Sequence, residues 1–343
     1  MDLRSDTFTL PSEAMREAMA RAEVGDDVFG EDPSVNRLQE MAAERMGKEA
    51  ALYVASGTMA NLVALLTHCQ RGDEIYLGDQ SHIFIYEAGS SAAVGGIHPY
   101  PLRNNPDGTL NLDDIEAAVR PDDTHFPRSR LLCLENTHNR CWGSPLSLDY
   151  MESIWDLAGR LNLAVHLDGA RIFNAALAEG VKPKELARGC DSVSFCLSKG
   201  LGAPVGSLVC GSRGFIMRAR RMRKQLGGGM RQAGIIAAGG IYALENMVDR
   251  LAEDHAMARR LAEGIDGIEG LKTQVDMIKT NIVFFQLADE RITANQLRER
   301  AASKGVRFLV GHGGLIRMVT HYGLTMEDMD WAVEVFQEVM AGV

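Results

Sequence analysis

The 343-residue sequence predicts an α/β fold: a large unit on a mainly parallel central sheet, then a small C-terminal α+β unit. Three observations carry this expectation. Short apolar runs alternate with helical stretches between about residues 50 and 210, and strands separated by helices need crossover connections with helices on both faces of the sheet. Beyond the loop Gly227-Gly228-Gly229, one long helical stretch leads into a second, shorter alternation. The 46% hydrophobic and 24% charged content is that of a folded globular chain. The expected division is residues 1–245 and residues 246–343, with no internal repeat.

Ser12 caps a helix to about Ala22. Asp32-Pro33 opens the next, because proline is tolerated at the first helical position; Val35, Leu38, Met41 and Ala42 form its apolar face and Gly47 stops it. Ala50 to Ala55 is a short apolar run, after which Ser56-Gly57-Thr58 starts a helix carrying Leu62, Leu65 and Leu66. Glu74 to Leu77 is extended, His82 to Ala93 helical, Ile97 to Leu102 extended, and Leu112 to Val119 helical behind the turn Asn105-Pro106-Asp107-Gly108. Arg130 to Glu135 is a buried strand, Leu148 to Leu161 an amphipathic helix, Leu163 to Leu167 a strand with a helix from about Ala170. Val193 to Leu197 and Ser207 to Cys210 are further strands. Arg218, Arg220, Arg221, Arg223 and Lys224 share a helical stretch that reads first as a solvated face. Gln232 to Ile265 is one long helical pattern. Asn281 to Leu287, Thr293 to Lys304, Val306 to Val310, Leu315 to Val319 and Met326 to Met340 make up the small unit.

The charge balance, 36 Lys plus Arg against 46 Asp plus Glu, gives a net −10 and argues against a nucleic-acid or anionic-membrane partner. No apolar run reaches the length of a membrane span, and the opening MDLRSDTFTL is charged at once, unlike a secretory signal. The six cysteines form no C-x-x-C pair. They read as scattered thiols of a reducing compartment, so the expectation is a cytoplasmic protein without structural disulfides.

Three positions suggest chemistry. Gly57 and Thr58 follow a strand and open a helix, whose free N–H groups and positive potential suit a phosphate. Taken alone, this is also how a simple capped turn looks. Asp168, in His166-Leu167-Asp168-Gly169-Ala170-Arg171, ends an apolar strand at the sheet edge where α/β proteins bind ligands. Its alternative is a helix cap. Lys199, in Ser198-Lys199-Gly200, ends another buried strand, a setting in which a lysine forms Schiff bases. Together they meet the needs of pyridoxal 5'-phosphate (PLP): an amine for its aldehyde, a carboxylate that keeps its ring nitrogen protonated, and a phosphate cradle. They occur in that order, about 110 and about 31 residues apart.

The chain resembles the low-specificity L-threonine aldolases and the related L-allo-threonine and phenylserine aldolases over nearly its whole length. The motifs are Asp2-Leu3-Arg4-Ser5-Asp6-Thr7, Gly25-Asp26-Asp27-Val28, Leu134-Glu135-Asn136-Thr137-His138-Asn139, His166 to Arg171, Leu197-Ser198-Lys199-Gly200 and Gly227-Gly228-Gly229-Met230-Arg231-Gln232. The resemblance implies a PLP-dependent, aspartate-aminotransferase-like large domain and retro-aldol cleavage of L-3-hydroxy-α-amino acids to glycine and an aldehyde. By position it implies Lys199 as the cofactor lysine, Asp168 at the pyridine nitrogen, Gly57 and Thr58 at the phosphate, and His82 stacked on the ring. It puts Arg171 at the phenolic oxygen or the substrate carboxylate, and Ser5 and Arg317 at that carboxylate. Lys224 and Arg231 would reach the phosphate of a neighbouring subunit in a homotetramer with shared active sites, a second reading of the basic stretch. The reaction needs a base for the β-hydroxyl proton, and His82 and His125 are the candidates. His138 lies in a motif without a separate role. No metal is called for.

Two places depart from the family pattern. Arg140 to Pro145 replaces a shorter Gly-Lys-Val-like stretch, and Phe29 stands where relatives usually carry Tyr. Rival readings are another PLP reaction (β-elimination, transamination or racemisation), a catalytically silent binding protein, or a non-haem iron enzyme using His166, Asp168 and His312 or His321.

Overall fold

Asp32 caps the first long helix by accepting from the Val35 N–H (3.0 Å), Pro33 takes its first turn, and Gly47 ends it in the left-handed conformation at φ 62°. The same local signals set the other elements of the computed structural model, which describes residues 1–343 except the side chain of His312. In chain order they are α1 (Glu13–Ala20), α2 (Pro33–Met46), β1 (Ala50–Val54), α3 (Gly57–His68), β2 (Glu74–Gly78), α4 (His82–Ile85), α5 (Ser90–Ala93), β3 (His98–Leu102), α6 (Leu112–Ala118) and β4 (Ser129–Glu135). There follow α7 (Leu148–Arg160), β5 (Ala164–Asp168), α8 (Ile172–Glu179), α9 (Pro183–Leu186), β6 (Ser192–Cys196), β7 (Ser207–Gly211), α10 (Arg213–Gln225), α11 (Gly234–Asn246) and α12 (Leu251–Asp266). The last are β8 (Leu271–Thr273), β9 (Ile282–Leu287), α13 (Ala294–Ser303), β10 (Leu309–Val310), β11 (Ile316–Val319) and α14 (Met326–Ala341).

The seven-stranded sheet has the order β1-β7-β6-β5-β4-β2-β3. β6, β5, β4, β2 and β3 pair in parallel, whereas β7 is antiparallel to both β6 and β1. The connection from β6 to β7 carries no helix, so the chain folds straight back and reverses that strand. A four-stranded antiparallel sheet, β10-β11-β9-β8, packs its own core with α12, α13 and α14. The N-terminal segment belongs to this second core as well: Leu3 is buried in it, its N–H donates to Arg307 O (2.8 Å), and its carbonyl accepts from Val319 N–H (2.9 Å).

Several expected elements differ. The stretch 82–93 is two single turns, α4 and α5, because Ala88 and Gly89 between them adopt positive φ (54° and 64°). The pattern 232–265 breaks at residues 247–250 into α11, which packs against α1 and α2 in the large core, and α12, which packs on the small sheet. The expected strand 306–310 is reduced to Leu309–Val310, while α9 and β8 gave no periodic signal. In the basic stretch on α10, Arg223 is buried against Asp27 (2.8 Å), so that position is an interior ion pair and not a solvated face. All six cysteines are buried free thiols. Among the described residues no helix is long and apolar enough to cross a membrane.

Candidate active site

The C-terminal ends of the parallel strands face one space. Asp168 is the last residue of β5, Lys199 lies three residues beyond β6, and His82 opens α4 just after β2. β1 is antiparallel to β7, which is antiparallel to β6, so β1 delivers Gly57 and Thr58 to the same edge. Ser56 caps α3 through the Met59 N–H (3.1 Å), and the N–H groups of Gly57 and Thr58 precede the helical ladder. A Cβ at Gly57 would stand 2.8 Å from Cys196 Sγ, so the backbone is pressed against β6 and only glycine fits.

Ser5, His82, Arg171, Lys199 and Arg317 line one cavity of about 430 Å³. They come from the N-terminal segment, three separate strand ends and β11 of the small sheet. Beneath it, one amide organises the buried polar groups. Asn61 Nδ2 donates to Asp168 Oδ2 and to Glu87 Oε1, both at 2.8 Å. Asn61 Oδ1 accepts from the Ser194 hydroxyl (2.9 Å) and contacts His166 Nε2 (3.1 Å). Asp168 Oδ1 also accepts from the Ala170 N–H (3.1 Å). Asn61 sits one turn into α3, which ties the Gly57–Thr58 helix start to the Asp168 carboxylate.

His82 Nδ1 lies 2.9 Å from Glu87 Oε1. Burial alone would lower the His82 pKa, but Glu87, Asp168 and Glu135 outweigh it and raise the imidazole above its ordinary value. The Glu87 carboxyl is itself raised, by burial first and by the Asp168 charge, although His82 and Asn61 pull the other way. Its Oε2 is buried without a partner.

On the other side Arg171 holds Asp6 bidentately, Nε to Oδ2 at 2.6 Å and Nη2 to Oδ1 at 2.7 Å, with both residues buried. Burial would raise the Asp6 carboxyl, but Arg171, then Lys199 and Arg317, hold it well below the usual carboxylate range. Asn139 Oδ1 accepts from Arg171 Nη1 (3.2 Å) and from Arg317 Nη2 (2.8 Å). Arg317 makes no hydrogen bond to a carboxylate among the described residues, its Nε is buried and unpartnered, and burial with the nearby Arg171 charge brings it down to about 10. A guanidinium in that condition is a ready site for an anion.

The structure does not bring every expected residue into this cavity. His125 does not reach the cavity: it stands exposed on the loop before β4, where Asp123 Oδ1 holds its Nδ1 at 2.6 Å. Lys224 and Arg231 are also exposed and outside the cavity, Arg231 being bonded to Asp26 (3.0 Å). The iron triad does not assemble. Burial brings His166 down to about 4, and its two nitrogens are engaged by Asn61 and the Ser192 hydroxyl (2.8 Å). His321 is engaged by the carbonyls of Tyr322 and Asp2 (2.9 Å each), and the side chain of His312 lies outside the described residues. Asn61 and Glu87 were not singled out from sequence, and nothing local marks them. Asp6 and Asn139 lie inside motifs that signal the site without revealing their contacts.

Residues 2–289 match the beta-eliminating lyase family. Over 331 residues the chain is 49% identical to the low specificity L-threonine aldolase of Escherichia coli K12, covering 96% of each protein. It is 46% identical over 344 residues to low-specificity L-threonine aldolase 1 of Arabidopsis thaliana, covering 99% of this chain and 96% of that one. The chain belongs to the beta-eliminating lyase and low-specificity L-threonine aldolase family. Solved structures extend the likeness at the level of fold. The Leishmania major threonine aldolase superposes with a TM-score of 0.83 at 20% identity, covering 99% of both chains. The serine palmitoyltransferase of Sphingomonas wittichii gives 0.78 at 18% identity, covering 100% of this chain and 88% of that one. A threonine-aldolase family member with this cavity needs a cofactor site, and its residues fit PLP: a cradle where a Cβ would clash, a buried strand-end carboxylate, and a lysine facing the cavity.

Proposed function

We propose that this chain is a PLP-dependent aldolase that cleaves L-threonine, L-allo-threonine and related L-3-hydroxy-α-amino acids to glycine and an aldehyde. The observation that carries the reading is the convergence of Ser5, His82, Arg171, Lys199 and Arg317 on a single cavity.

PLP, when bound, supplies a conjugated ring that takes up the electron pair of the broken Cα–Cβ bond. Lys199 would hold its aldehyde, Asp168 its ring nitrogen, and the N–H groups of Gly57 and Thr58 its phosphate. Arg317, with Ser5, would grip the substrate carboxylate; its unpaired Nε and lack of a carboxylate partner support this. Arg171 has one N–H left on each terminal nitrogen after Asp6 and Asn139 are served, enough to touch a substrate or cofactor oxygen. His82 serves as the base through Nε2, the nitrogen not bound to Glu87, and takes the β-hydroxyl proton. The reading includes a homotetramer in the cytoplasm, with Lys224 and Arg231 reaching a neighbour's phosphate. Their exposure outside their own cavity and the six free thiols support it. It also keeps residues 1–245 and 246–343 as the two units, except that the segment around Leu3 packs in the second core.

The test is an absorbance spectrum before and after adding L-threonine or L-allo-threonine, with coupled detection of acetaldehyde. A yellow protein that releases acetaldehyde, and a colourless, inactive Lys199→Ala, are the expected results. Turnover surviving in Lys199→Ala, with no other lysine trapped by borohydride, would overturn the assignment.

A further inference from the structure

If the aldolase reading holds, the cavity carries more positive charge than one amino-acid carboxylate uses. Its described lining includes Arg140, Arg171, Lys199 and Arg317 but no aspartate or glutamate. Asp6 neutralises Arg171, Arg317 is left for the α-carboxylate, and Lys199 is left for the cofactor. Arg140 has no such assignment. It begins the stretch that departs from the family pattern, and two neutral acceptors hold it: Nε donates to Gln80 Oε1 and Nη1 to the Tyr86 hydroxyl, both at 2.8 Å. These bonds orient the guanidinium without cancelling its charge, which lowers the ordering cost of a ligand contact. The guanidinium lies 5.9 Å from the Tyr86 ring centroid, and that ring lies 5.5 Å from the imidazole of His82. Arg140 is therefore linked through Tyr86 to the base, and Arg317 is linked through Asn139 to Arg171.

We propose that Arg140 is a subsite for a second acidic group on the β-substituent, so that the substrate class includes 3-hydroxy-α-amino acids with a carboxylate beyond Cβ, 3-hydroxyaspartate being the smallest. The bond changes are those of the retro-aldol step. The β-hydroxyl proton passes to His82, the Cα–Cβ bond breaks, and Cβ leaves as the aldehyde of glyoxylate. The electron pair left on Cα is protonated to give glycine. The second carboxylate is unchanged and no oxidant or reductant is involved.

The test has two readouts on the holoenzyme and on Arg140→Gln and Arg140→Lys. The first is kcat/KM for L-3-hydroxyaspartate, L-threonine and phenylserine by aldehyde release. The second is calorimetric binding of L-aspartate against L-alanine, which needs no turnover. The wild type is expected to bind aspartate more tightly than alanine. Arg140→Gln should lose about ten- to hundredfold of that preference and of the 3-hydroxyaspartate-to-threonine ratio, mainly through KM, and Arg140→Lys should retain part. Wild type that prefers alanine or phenylserine, or a preference that survives in Arg140→Gln, overturns the subsite. An Arg140-dependent preference for aspartate without aldehyde release from any substrate supports the subsite and overturns the aldolase reading instead.

Discussion

At the scale of single residues, the hydrogen-bond partners around Asn61 determine its orientation and, through it, the protonation of its neighbours. The Asp168 carboxylate can only accept, so Nδ2 is the atom that faces it and Glu87, and Oδ1 is left to accept from the Ser194 hydroxyl. His166 is neutral, brought down to about 4 by burial, and so carries its one proton on Nε2, directed at Asn61, while the Ser192 hydroxyl serves Nδ1. Glu87 in turn places the proton of His82 on Nδ1 and leaves Nε2 toward the cavity. Replacing Glu87 by Gln keeps an acceptor but removes the charge that helps raise the His82 pKa. The acid limb of the kcat/KM pH profile should then move to lower pH, and kcat should fall by roughly tenfold as the base weakens. An unmoved acid limb, with the His82 imidazole titrating unchanged by NMR, would show that Glu87 does not set this base. Lys199 and Asp168 stand out in the sequence through their motifs and strand ends, and Arg317 only through its position in the family resemblance. Glu87 and Asn61 do not, since Asn61 meets Asp168 across 107 positions and Glu87 lies in an irregular stretch between two single helical turns, where the sequence reads as one helix.

At the scale of elements, one carboxylate ties two helices together. Asp32 caps α2 with Oδ1, while its Oδ2 accepts from the N–H of Gly234 (2.8 Å) and of Gly25 (3.2 Å), so the starts of α2 and α11 share an anchor. Gly234 has to be glycine, because a Cβ there would lie 2.6 Å from Asp32 Oδ1. Asp32→Ala leaves these buried N–H groups without an acceptor and is expected to cost about 2–4 kcal/mol, read as a lower urea midpoint at unchanged slope. A loss below about 1 kcal/mol would mean that solvent reaches the site and the anchor is dispensable. The cap and the proline were visible in the sequence; the second helix was not, because the pattern 232–265 is apolar on both sides of the break at 247–250 and periodicity alone does not show a chain passing from one core to another.

For the whole molecule, the buried titratable groups fix how stability responds to acid. Burial brings His68 down to about 3 and His166 and His255 to about 4, whereas the imidazole of an unfolded chain titrates near 6.5. Below pH ~6.5 the unfolded chain therefore takes up protons that these three residues refuse in the fold, and stability falls as the pH drops. Asp254, raised to about 6 by burial despite its pairing with Arg250, works the other way below pH ~6, as does the raised Glu87. The raised His82 adds stability that is already complete near pH 6.5, and Asp6, held low, is lost only in stronger acid. Between pH 6.5 and 5 the three imidazoles outweigh the opposing carboxyls. Circular dichroism melts of the holoenzyme should show Tm falling by about 5 °C or more from pH 7 to pH 5, and His255→Asn should fall less steeply because one of the three proton acceptors is gone. A Tm that is flat or rises over this range would show that these imidazoles are already charged in the fold, contrary to their burial and to the hydrogen bonds that give His166 a single proton.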